Sequence, residues 1–344
     1  MRIGIIGAGR MGAWHARNLA SFDDGHTLLV HDARYEAAEN LAKAVDGTAH
    51  HRADELLEAV DAVVVAVPAA MRTAAFPRAV EAGLPVFCEK PLAHTADAAR
   101  ALAAVAAAAG NHRVQVGFQR RCDPGHRAVR ERLGRGDLGR LLMIRCTAFD
   151  HEPPPAGYDT SSGGIFADCL IHDIDAVQWL TGQRTVSVLA DEARVGGEPC
   201  GGSPPAGGPS GGGVAVATAL LTLADGTRAV LTASRFNPYG YDHRAELLGT
   251  RDSLTIGLDE RTPLRSPFTS GTGTPAHPAY TGFTDRFAQA YREEMRAFVR
   301  LARGEEPSVC PPAEAVLAQE VADAAARSAA TGALVTLPAP RGNA

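Results

Sequence analysis

The chain has 344 residues, of which 45% are hydrophobic and 21% charged, and a formal net charge of −5. This composition is typical of a globular protein with enough core for two domains. The negative charge, without a dense Lys/Arg stripe, speaks against a nucleic-acid partner. We find no signal-peptide layout and no apolar run long enough to span a bilayer, so we expect a cytoplasmic protein without a membrane partner. Six cysteines without a Cys-x-x-Cys pair predict neither disulfides nor zinc.

The first part of the chain alternates strand-like and helix-like patterns. Thr95 can cap an alanine-rich helix that ends near Gly110. Strands that alternate with helices predict a parallel, doubly wound sheet, and we assign this α/β domain to residues 1–122. The predicted strands are 2–6, 28–30, 61–67, 84–88 and 114–118, and the other predicted helices are 13–20, 37–45 and 72–82.

The second part, which we assign to residues 123–337, has a different pattern. A helix over 125–135 precedes a series of strand-like runs, which predict an α/β domain with an open, largely antiparallel sheet. Residues 196–213, rich in Gly, Pro and Ser, predict a flexible surface loop. Two long helical patterns follow, and the one over 313–331 can pack back on the first domain. The strand-like runs are 141–148, 185–190, 214–223, 228–234 and 244–248, and the other long helix is 285–303.

A glycine motif, Gly7-x-Gly9-x-x-Gly12, follows the first predicted strand and opens a helix. In that context the glycines permit a tight turn and a close approach of the backbone to a pyrophosphate at the helix N-terminus, which predicts dinucleotide binding. Asp32 ends the second strand, where a carboxylate can accept hydrogen bonds from ribose hydroxyls and repel a 2′-phosphate. NAD is therefore the favoured cofactor. Arg34 could contact a 2′-phosphate, which leaves NADP as the alternative.

The tripeptide Glu89-Lys90-Pro91 follows an apolar run that predicts a strand. Lys90 therefore lies at a strand's carboxyl end, the edge where open α/β sheets bind their ligands. A nicotinamide-dependent oxidation of an alcohol needs a lysine in such a position. The alternative is an exposed lysine at a strand end, with no chemical role.

Asp168 and His172 lie four residues apart, so both can point from one helix face into the same cleft. Histidine is a suitable proton acceptor near neutral pH, and a nearby carboxylate can orient it or bind a substrate hydroxyl. The alternative is a surface pair, with Asp173 and Asp175 as further solvated charges. We interpret the remaining candidates as solvated or capping histidines: His15, His26, His50, His51 and His112. No cluster predicts a metal site, and no nucleophile elbow predicts Ser-His-Asp catalysis.

Together these motifs resemble the glucose-fructose oxidoreductase/inositol dehydrogenase/rhizopine-catabolism family, and within it the inositol 2-dehydrogenases. The resemblance implies a Rossmann domain followed by an α/β domain whose open sheet often mediates oligomer contacts. We therefore expect a homo-oligomer, a dimer or a tetramer. The matching segments are 7–12, 61–66 and 87–92 with Asp168 and His172, and, for the subgroup, 115–121, 171–175, 239–242 and 283–287.

The resemblance also implies a role for each site residue. Lys90 would hydrogen-bond the reacting hydroxyl, His172 would take its proton, and Asp168 would fix the substrate and tune His172. The expected substrate-binding residues are Arg120, Asp150 and Tyr241. The expected cofactor-binding residues are Gly7, Gly9, Arg10, Met11, Gly12, Asp32, Val67, Pro68, Glu89 and Lys90.

The chain departs from the family pattern at three positions. Arg72 stands where family members commonly have histidine, Ala148 where the subgroup has an inositol-contacting histidine, and Asp150 where it often has asparagine. His151 could substitute for the histidine missing at 148. Losing a hydrogen-bonding partner should change specificity more than catalysis, so the pocket could accept a larger or differently substituted ring.

We expect an NAD-dependent dehydrogenase that oxidises a secondary ring hydroxyl of a small-molecule cyclitol or sugar, including an aminosugar or aminocyclitol, to a ketone. The high Ala, Gly and Arg content indicates a GC-rich genome and fits a role in aminoglycoside biosynthesis. Two alternatives stay open. One is an NAD-dependent glycosidase of the same family, without net cofactor turnover, and the other is a non-catalytic regulator that binds the cofactor.

Overall fold

The computed structural model describes residues 1–154, 162–195, 214–264 and 277–338. These residues form two compact units. Unit 1 comprises Met1–Asp123 and Gln289–Gln319, and unit 2 comprises Pro124–Ala288 and the segment that starts at Glu320. Residues 289–319, which we predicted in the second domain, thus belong to unit 1. The predicted loop over 196–213 lies outside the described residues.

Unit 1 contains a six-stranded parallel sheet in the order β3-β2-β1-β4-β5-β6. This confirms the predicted doubly wound sheet. The strands are β1 Arg2–Ile6, β2 Thr27–His31, β3 Thr48–Ala49, β4 Ala62–Val65, β5 Val86–Glu89 and β6 Val114–Gly117. The order reverses between β1 and β4, and open α/β sheets bind ligands at the carboxyl ends of the strands at such a point.

Helices connect these strands, as the alternating pattern predicts. Thr95 caps α5, since its Oγ1 accepts a hydrogen bond from the Ala98 N–H at 3.3 Å. The helices of this part are α1 Arg10–Ala20, α2 Tyr35–Ala44, α3 Ala53–Ala59, α4 Ala69–Glu81 and α5 Ala96–Ala108, with a 3₁₀ turn at Gln119–Cys122. The short β3 and α3 were not predicted, because each is too brief to produce a periodic signal.

Unit 2 contains a seven-stranded sheet in the order β12-β11-β7-β10-β9-β8-β13. Among the described strand pairs of unit 2, only the β7–β10 pair is parallel, and this confirms the predicted largely antiparallel sheet. The strands are β7 Leu141–Phe149, β8 Thr185–Val195, β9 Val214–Leu223, β10 Arg228–Ser234, β11 Asp242–Gly249, β12 Ser253–Ile256 and β13 Val335–Thr336.

The helices of unit 2 lie mainly before and between these strands. A π-turn at Phe166–Leu170 leads directly into α7, Ile171–Thr181, which packs against β7 and β10. The others are α6 Pro124–Gly134, α8 Phe283–Arg286, and two helices that the unit boundaries cross, α9 Ala288–Ala302 and α10 Pro312–Thr331. No helix in the described segments is long and apolar enough to cross a membrane.

α9 completes the core of unit 1 from a distant part of the sequence. Its Met295 and Phe298 are fully buried in one apolar cluster with Ile3, Val30 and Phe87. Burial of such side chains stabilises the fold by about 1.5–3 kcal/mol each. The core of unit 1 therefore depends on residues from both ends of the chain.

One carboxyl group is buried in this core without a hydrogen-bond partner. Glu294 of α9 is 1% exposed, and neither its Oε1 nor its Oε2 is hydrogen-bonded within the described parts of the chain. Burial and the nearby charge of Glu89 raise the pKa of Glu294 well above its usual range. An ionised carboxylate without a partner is costly at such a position, so folding favours the neutral form of Glu294.

We expect Glu294→Gln to remove part of the pH dependence of stability. Because folding raises the pKa of Glu294, its stabilising contribution is complete below the pKa of an unfolded glutamate and is lost as the pH rises above it. Urea unfolding should give similar stabilities for both proteins at about pH 4, and a variant more stable by about 1–3 kcal/mol at about pH 8. A difference that stays constant between the two pH values would contradict the assignment.

Candidate active site

The glycine motif forms a tight turn after β1. Gly7 has φ +104°, and a Cβ there would lie 2.8 Å from the Ala66 carbonyl oxygen. A Cβ on Gly12 would collide with the carbonyl oxygen of Gly7, whereas one on Gly9 would meet nothing within 4 Å. Gly7 and Gly12 are therefore needed for the turn itself, and Gly9 leaves the backbone open to a ligand. Arg10 and Met11 begin α1 directly after it.

Asp32 holds the glycine turn from the end of β2. Its Oδ2 accepts a hydrogen bond from the Ala8 N–H at 2.8 Å, and its Oδ1 accepts one from the Arg34 N–H at 2.9 Å. The Arg34 side chain is 81% exposed, and its Nε is 3.9 Å from Asp32 Oδ1. The carboxylate thus lies beside the turn and is available for further hydrogen bonds.

A cavity opens next to this carboxylate. It is lined mainly by apolar side chains, among them Ile6, Leu57, Val67, Met71 and Ala74, with Asp32 at its edge. An apolar cavity with one carboxylate beside a glycine turn and a helix N-terminus suits an adenosine group joined to a pyrophosphate. The residues of unit 1 therefore fit a dinucleotide.

Lys90 follows β5 directly, as predicted, and is half-buried. Its N–H donates to Oε2 of Glu89 at 3.0 Å. The segment that carries it is fixed by Arg72 of α4, which is 6% exposed. Arg72 donates from Nε to the Val67 carbonyl at 2.9 Å and from Nη1 to the Pro91 carbonyl. The arginine that replaces the family's usual histidine is thus a structural link between the ends of β4 and β5.

Glu89 and His15 form a buried pair that the sequence analysis missed. His15 is fully buried, and its Nε2 is 2.6 Å from Oε1 of Glu89, which is 5% exposed. The interpretation of His15 as a solvated or capping histidine is therefore wrong. Glu89, expected to bind the cofactor, has both carboxylate oxygens engaged within the protein. The spacing of His15 on α1, facing the sheet, was the available signal.

Asp168 and His172 lie in unit 2 on a continuous helical segment that is not a regular α-helix. Asp168 is in the π-turn and His172 is in the first turn of α7, and both are half-buried. A π-turn inserts an extra residue and is frequent at functional sites. Asp173 and Asp175, which we interpreted as solvated charges, are only 1% and 2% exposed. That interpretation is wrong, and Asp173 Oδ1 lies 3.4 Å from His243 Nε2.

Arg235 brings Asp168 and Asp150 together. Its Nη1 is 2.8 Å from Oδ2 of Asp168 and 3.6 Å from Oδ2 of Asp150, and its side chain is 4% exposed. Burial and the charge of Asp168 raise the pKa of Asp150 more than Arg235 lowers it. Arg235 was not among the predicted residues, and its only signal is a charged residue directly after the apolar strand β10.

The other predicted pocket residues lie in different places. Arg120 is in the 3₁₀ turn after β6 in unit 1 and is 2% exposed. Tyr241 of unit 2 is 7% exposed, and its ring packs edge-on against Phe287 with centroids 6.5 Å apart. His151, the proposed substitute for the histidine missing at 148, has Nδ1 3.2 Å from the Asn237 carbonyl oxygen.

The predicted site residues are thus divided between the two units. The glycines, Asp32, Val67, Pro68, Lys90 and Arg120 belong to unit 1, and Asp150, Asp168, His172 and Tyr241 belong to unit 2. Within the segments that the structure describes, no group of three or more His, Cys, Asp or Glu side chains could hold a metal ion.

Comparison with known proteins also divides the chain into two parts, which correspond to the two units. A family model described as "Oxidoreductase family, NAD-binding Rossmann fold" matches residues 1–118. A second, described as "GFO/IDH/MocA C-terminal domain", matches residues 126–255. Each of the two units therefore has a recognised counterpart.

Several known proteins match this chain over nearly its full length, which includes both units. "Myo-inositol dehydrogenase Hyg17" of Streptomyces leeuwenhoekii is 36% identical over 98% of this chain and 100% of its own length. The crystal structure of a myo-inositol dehydrogenase from Corynebacterium glutamicum has a TM-score of 0.84 and 29% identity, covering 98% of this chain and 99% of its own. The crystal structure of a myo-inositol dehydrogenase from Lactobacillus casei, in complex with NAD(H) and myo-inositol, has a TM-score of 0.83 and 26% identity. It covers 98% of this chain and 97% of its own.

These matches extend over both units and agree with the two sheets. As the sequence motifs predict, the chain belongs to the GFO/IDH/MocA family of oxidoreductases with an NAD-binding Rossmann fold.

Proposed function

We propose that this protein is an NAD-dependent dehydrogenase that oxidises a secondary ring hydroxyl of a cyclitol or sugar to a ketone. The main support is the similarity to inositol dehydrogenases along the full chain, which includes both units. The position of Lys90 at the carboxyl end of β5 agrees with it. On the family resemblance we also propose a cytoplasmic homo-oligomer, a dimer or a tetramer.

The cofactor-binding residues are those of the glycine turn and its surroundings. The N-terminus of α1, with Arg10 and Met11, binds the pyrophosphate, because its free N–H groups and helix dipole favour an anion. Asp32 accepts hydrogen bonds from the ribose hydroxyls, and Val67 and Pro68 line the same edge of the sheet. NAD, when bound, supplies the hydride acceptor.

Two residues act on the reacting hydroxyl of the substrate, and a third binds a neighbouring hydroxyl. His172 accepts its proton, and Lys90 donates a hydrogen bond to its oxygen and stabilises the negative charge that develops there. Asp168 binds a neighbouring hydroxyl of the substrate, and Arg235 fixes the carboxylate of Asp168 through the 2.8 Å contact. Arg120 and Tyr241 provide further polar groups for a polyol. The rate would depend on the alignment of the reacting carbon with the nicotinamide and on removal of the hydroxyl proton.

The charge around Asp168 supports an amine-bearing substrate as the finer proposal. Asp150 and Asp168 place two carboxylates beside the guanidinium of Arg235. The Asp150 side chain is 30% exposed, which leaves it accessible to a ligand. Two carboxylates at one place, when ionised, suit the ammonium of an aminosugar or aminocyclitol. This agrees with our proposed role in aminoglycoside biosynthesis.

Substitution of the proton-transfer residues should abolish turnover without abolishing cofactor binding. We expect Lys90→Ala and His172→Ala each to lower kcat for NADH formation by about 10²–10⁴-fold, with the dissociation constant of NAD nearly unchanged. Lys43, the other lysine of the chain, is exposed on α2 and gives the matched control, Lys43→Ala. Full turnover in both active-site variants would reject the assignment.

The same assay separates the dehydrogenase from the glycosidase alternative. A dehydrogenase forms one NADH for each ketone, and absorbance of NADH rises with product. A glycosidase that returns its hydride would release a sugar without net NADH. Screening cyclitols and aminoglycoside-type sugars in this way tests the reaction class and the substrate together.

The position of Asp32 predicts a preference for NAD over NADP. Because its carboxylate would repel a 2′-phosphate, Asp32→Ala should reduce the ratio of kcat/KM for NAD to that for NADP by about 10- to 100-fold. Arg34→Ala tests the other possibility: if Arg34 binds a 2′-phosphate, that variant loses activity with NADP only. A wild-type preference for NADP would contradict the role of Asp32.

Asp150→Asn tests the preference for an amine. The variant should lower the kcat/KM ratio of an aminocyclitol to its neutral analogue by about tenfold, equivalent to ~1.4 kcal/mol. Because the pKa of Asp150 is raised, the wild-type ratio should increase as the pH rises through that pKa. The exposed Asp191 of β8 provides the control, Asp191→Asn. An unchanged ratio in Asp150→Asn would remove the charge argument for an amine.

A further inference from the structure

Glu89 connects the end of β5 to α1 through its buried carboxylate. Oε1 is 2.6 Å from His15 Nε2 on α1, and Oε2 accepts the N–H of Lys90 at 3.0 Å. Gly117 ends β6 opposite Glu89, and a Cβ there would come within 2.9 Å of Phe87 and 3.4 Å of the Glu89 carboxyl carbon. The absence of a side chain at 117 therefore leaves room for the carboxylate.

The charges around this carboxylate keep it ionised. Burial raises the pKa of Glu89, but the hydrogen bond and charge of His15, together with Arg72 and Lys90, lower it below its usual value. The nearby Glu294 has the opposite shift, since burial and the charge of Glu89 raise its pKa. Because Glu89 is ionised, the Nε2–H of His15 is the donor in their bond.

A buried carboxylate that is bonded to a histidine is a costly way to join a helix to a strand. Apolar side chains of similar volume often give equal or greater stability, so the pair requires another explanation. His15 is five residues after the start of α1 in the glycine turn, and Glu89 is directly before Lys90. The pair therefore joins the cofactor-binding helix to the residue that handles the substrate hydroxyl.

We propose that Glu89 is a positioning residue for Lys90, and that its bond to His15 links the position of Lys90 to the glycine turn and α1. The proposal rests on the role of Lys90 given above. Glu89, which we expected to bind the cofactor, would instead hold Lys90 in position. The Glu89 carboxylate fixes the Lys90 peptide by accepting its N–H, and thereby fixes the segment from which the Lys90 side chain starts.

A double-mutant cycle tests whether Glu89 acts through Lys90. We expect Glu89→Gln to lower kcat by about 10- to 100-fold with an unchanged KM for NAD, and to have no further effect in the Lys90→Ala background. Glu294→Gln, a matched change of the neighbouring buried carboxyl, should leave kcat unchanged. An equal loss in both backgrounds, or no loss in either, would overturn the proposal.

Two variants of His15 distinguish positioning from packing. His15→Gln keeps an N–H donor of similar reach, whereas His15→Leu fills the space without one. We expect His15→Gln to retain most of the wild-type kcat and His15→Leu to lose about as much as Glu89→Gln, with similar thermal unfolding. If the leucine variant were as active as the glutamine variant, the bond would have no positioning role. These variants decide the question if Glu89→Gln fails to fold.

The two lysines of the chain allow a direct readout at Lys90. An amine-reactive reagent followed by mass spectrometry gives separate modification rates for Lys90 and for the exposed Lys43. The glutamine oxygen can replace only one of the two carboxylate oxygens, so Glu89→Gln should loosen the segment that carries Lys90, increase the Lys90 rate about 3- to 10-fold and leave the Lys43 rate unchanged. Equal rates at Lys90 in both proteins would contradict the proposal.

These experiments also separate this proposal from that for the enzyme's function. If Lys90→Ala and His172→Ala both kept full turnover, the proposed function would fail, whatever the rates of amine modification. If Lys90→Ala lost turnover but Glu89→Gln kept it, only the positioning role would fail.

Discussion

The close contact between Gly12 and Gly7 is the constraint on which unit 1 depends. Neither position has space for a side chain, so β1 and α1 can join only through a very short turn. That turn fixes the direction in which α1 leaves the sheet and brings His15 over the end of β5, where it meets Glu89. The same turn leaves the backbone at Gly9 open. One steric requirement therefore shapes both the expected pyrophosphate site and the surroundings of Lys90.

In unit 2, the pairing of two strands and a π-turn together position the charged residues. The parallel pairing of β7 with β10 brings the carboxyl ends of both strands to one edge, where Asp150 and Arg235 follow directly. The π-turn before α7 then brings Asp168 to the same guanidinium. Since α7 packs on these two strands, the position of His172 is set by the sheet as well. The charges of this group depend on backbone geometry more than on any local sequence motif.

The sequence was most informative where structure is local. The parallel strands, the Thr95 cap and the glycine turn were predicted because periodicity, capping and turn chemistry act over a few residues. His15 and Arg235 were missed because their partners lie 74 and 67 residues away. Asp173 and Asp175 looked solvated because the short helix around them gives no sign of being buried on both sides. The roles of Lys90, Asp168 and His172 remain predictions from the family resemblance.

The parallel β7–β10 pair has a consequence for how the protein folds. The hydrogen bond from Thr232 Oγ1 to the Cys146 carbonyl joins residues 86 positions apart, and parallel strands cannot be joined by a simple hairpin. Pairing of such distant strands requires the closure of a long loop before any contact compensates its entropy. Asp150 and Arg235 should therefore meet only late in folding. A nascent chain that lacks β10 would have the helix that carries Asp168 and His172 without the strand that organises their surroundings.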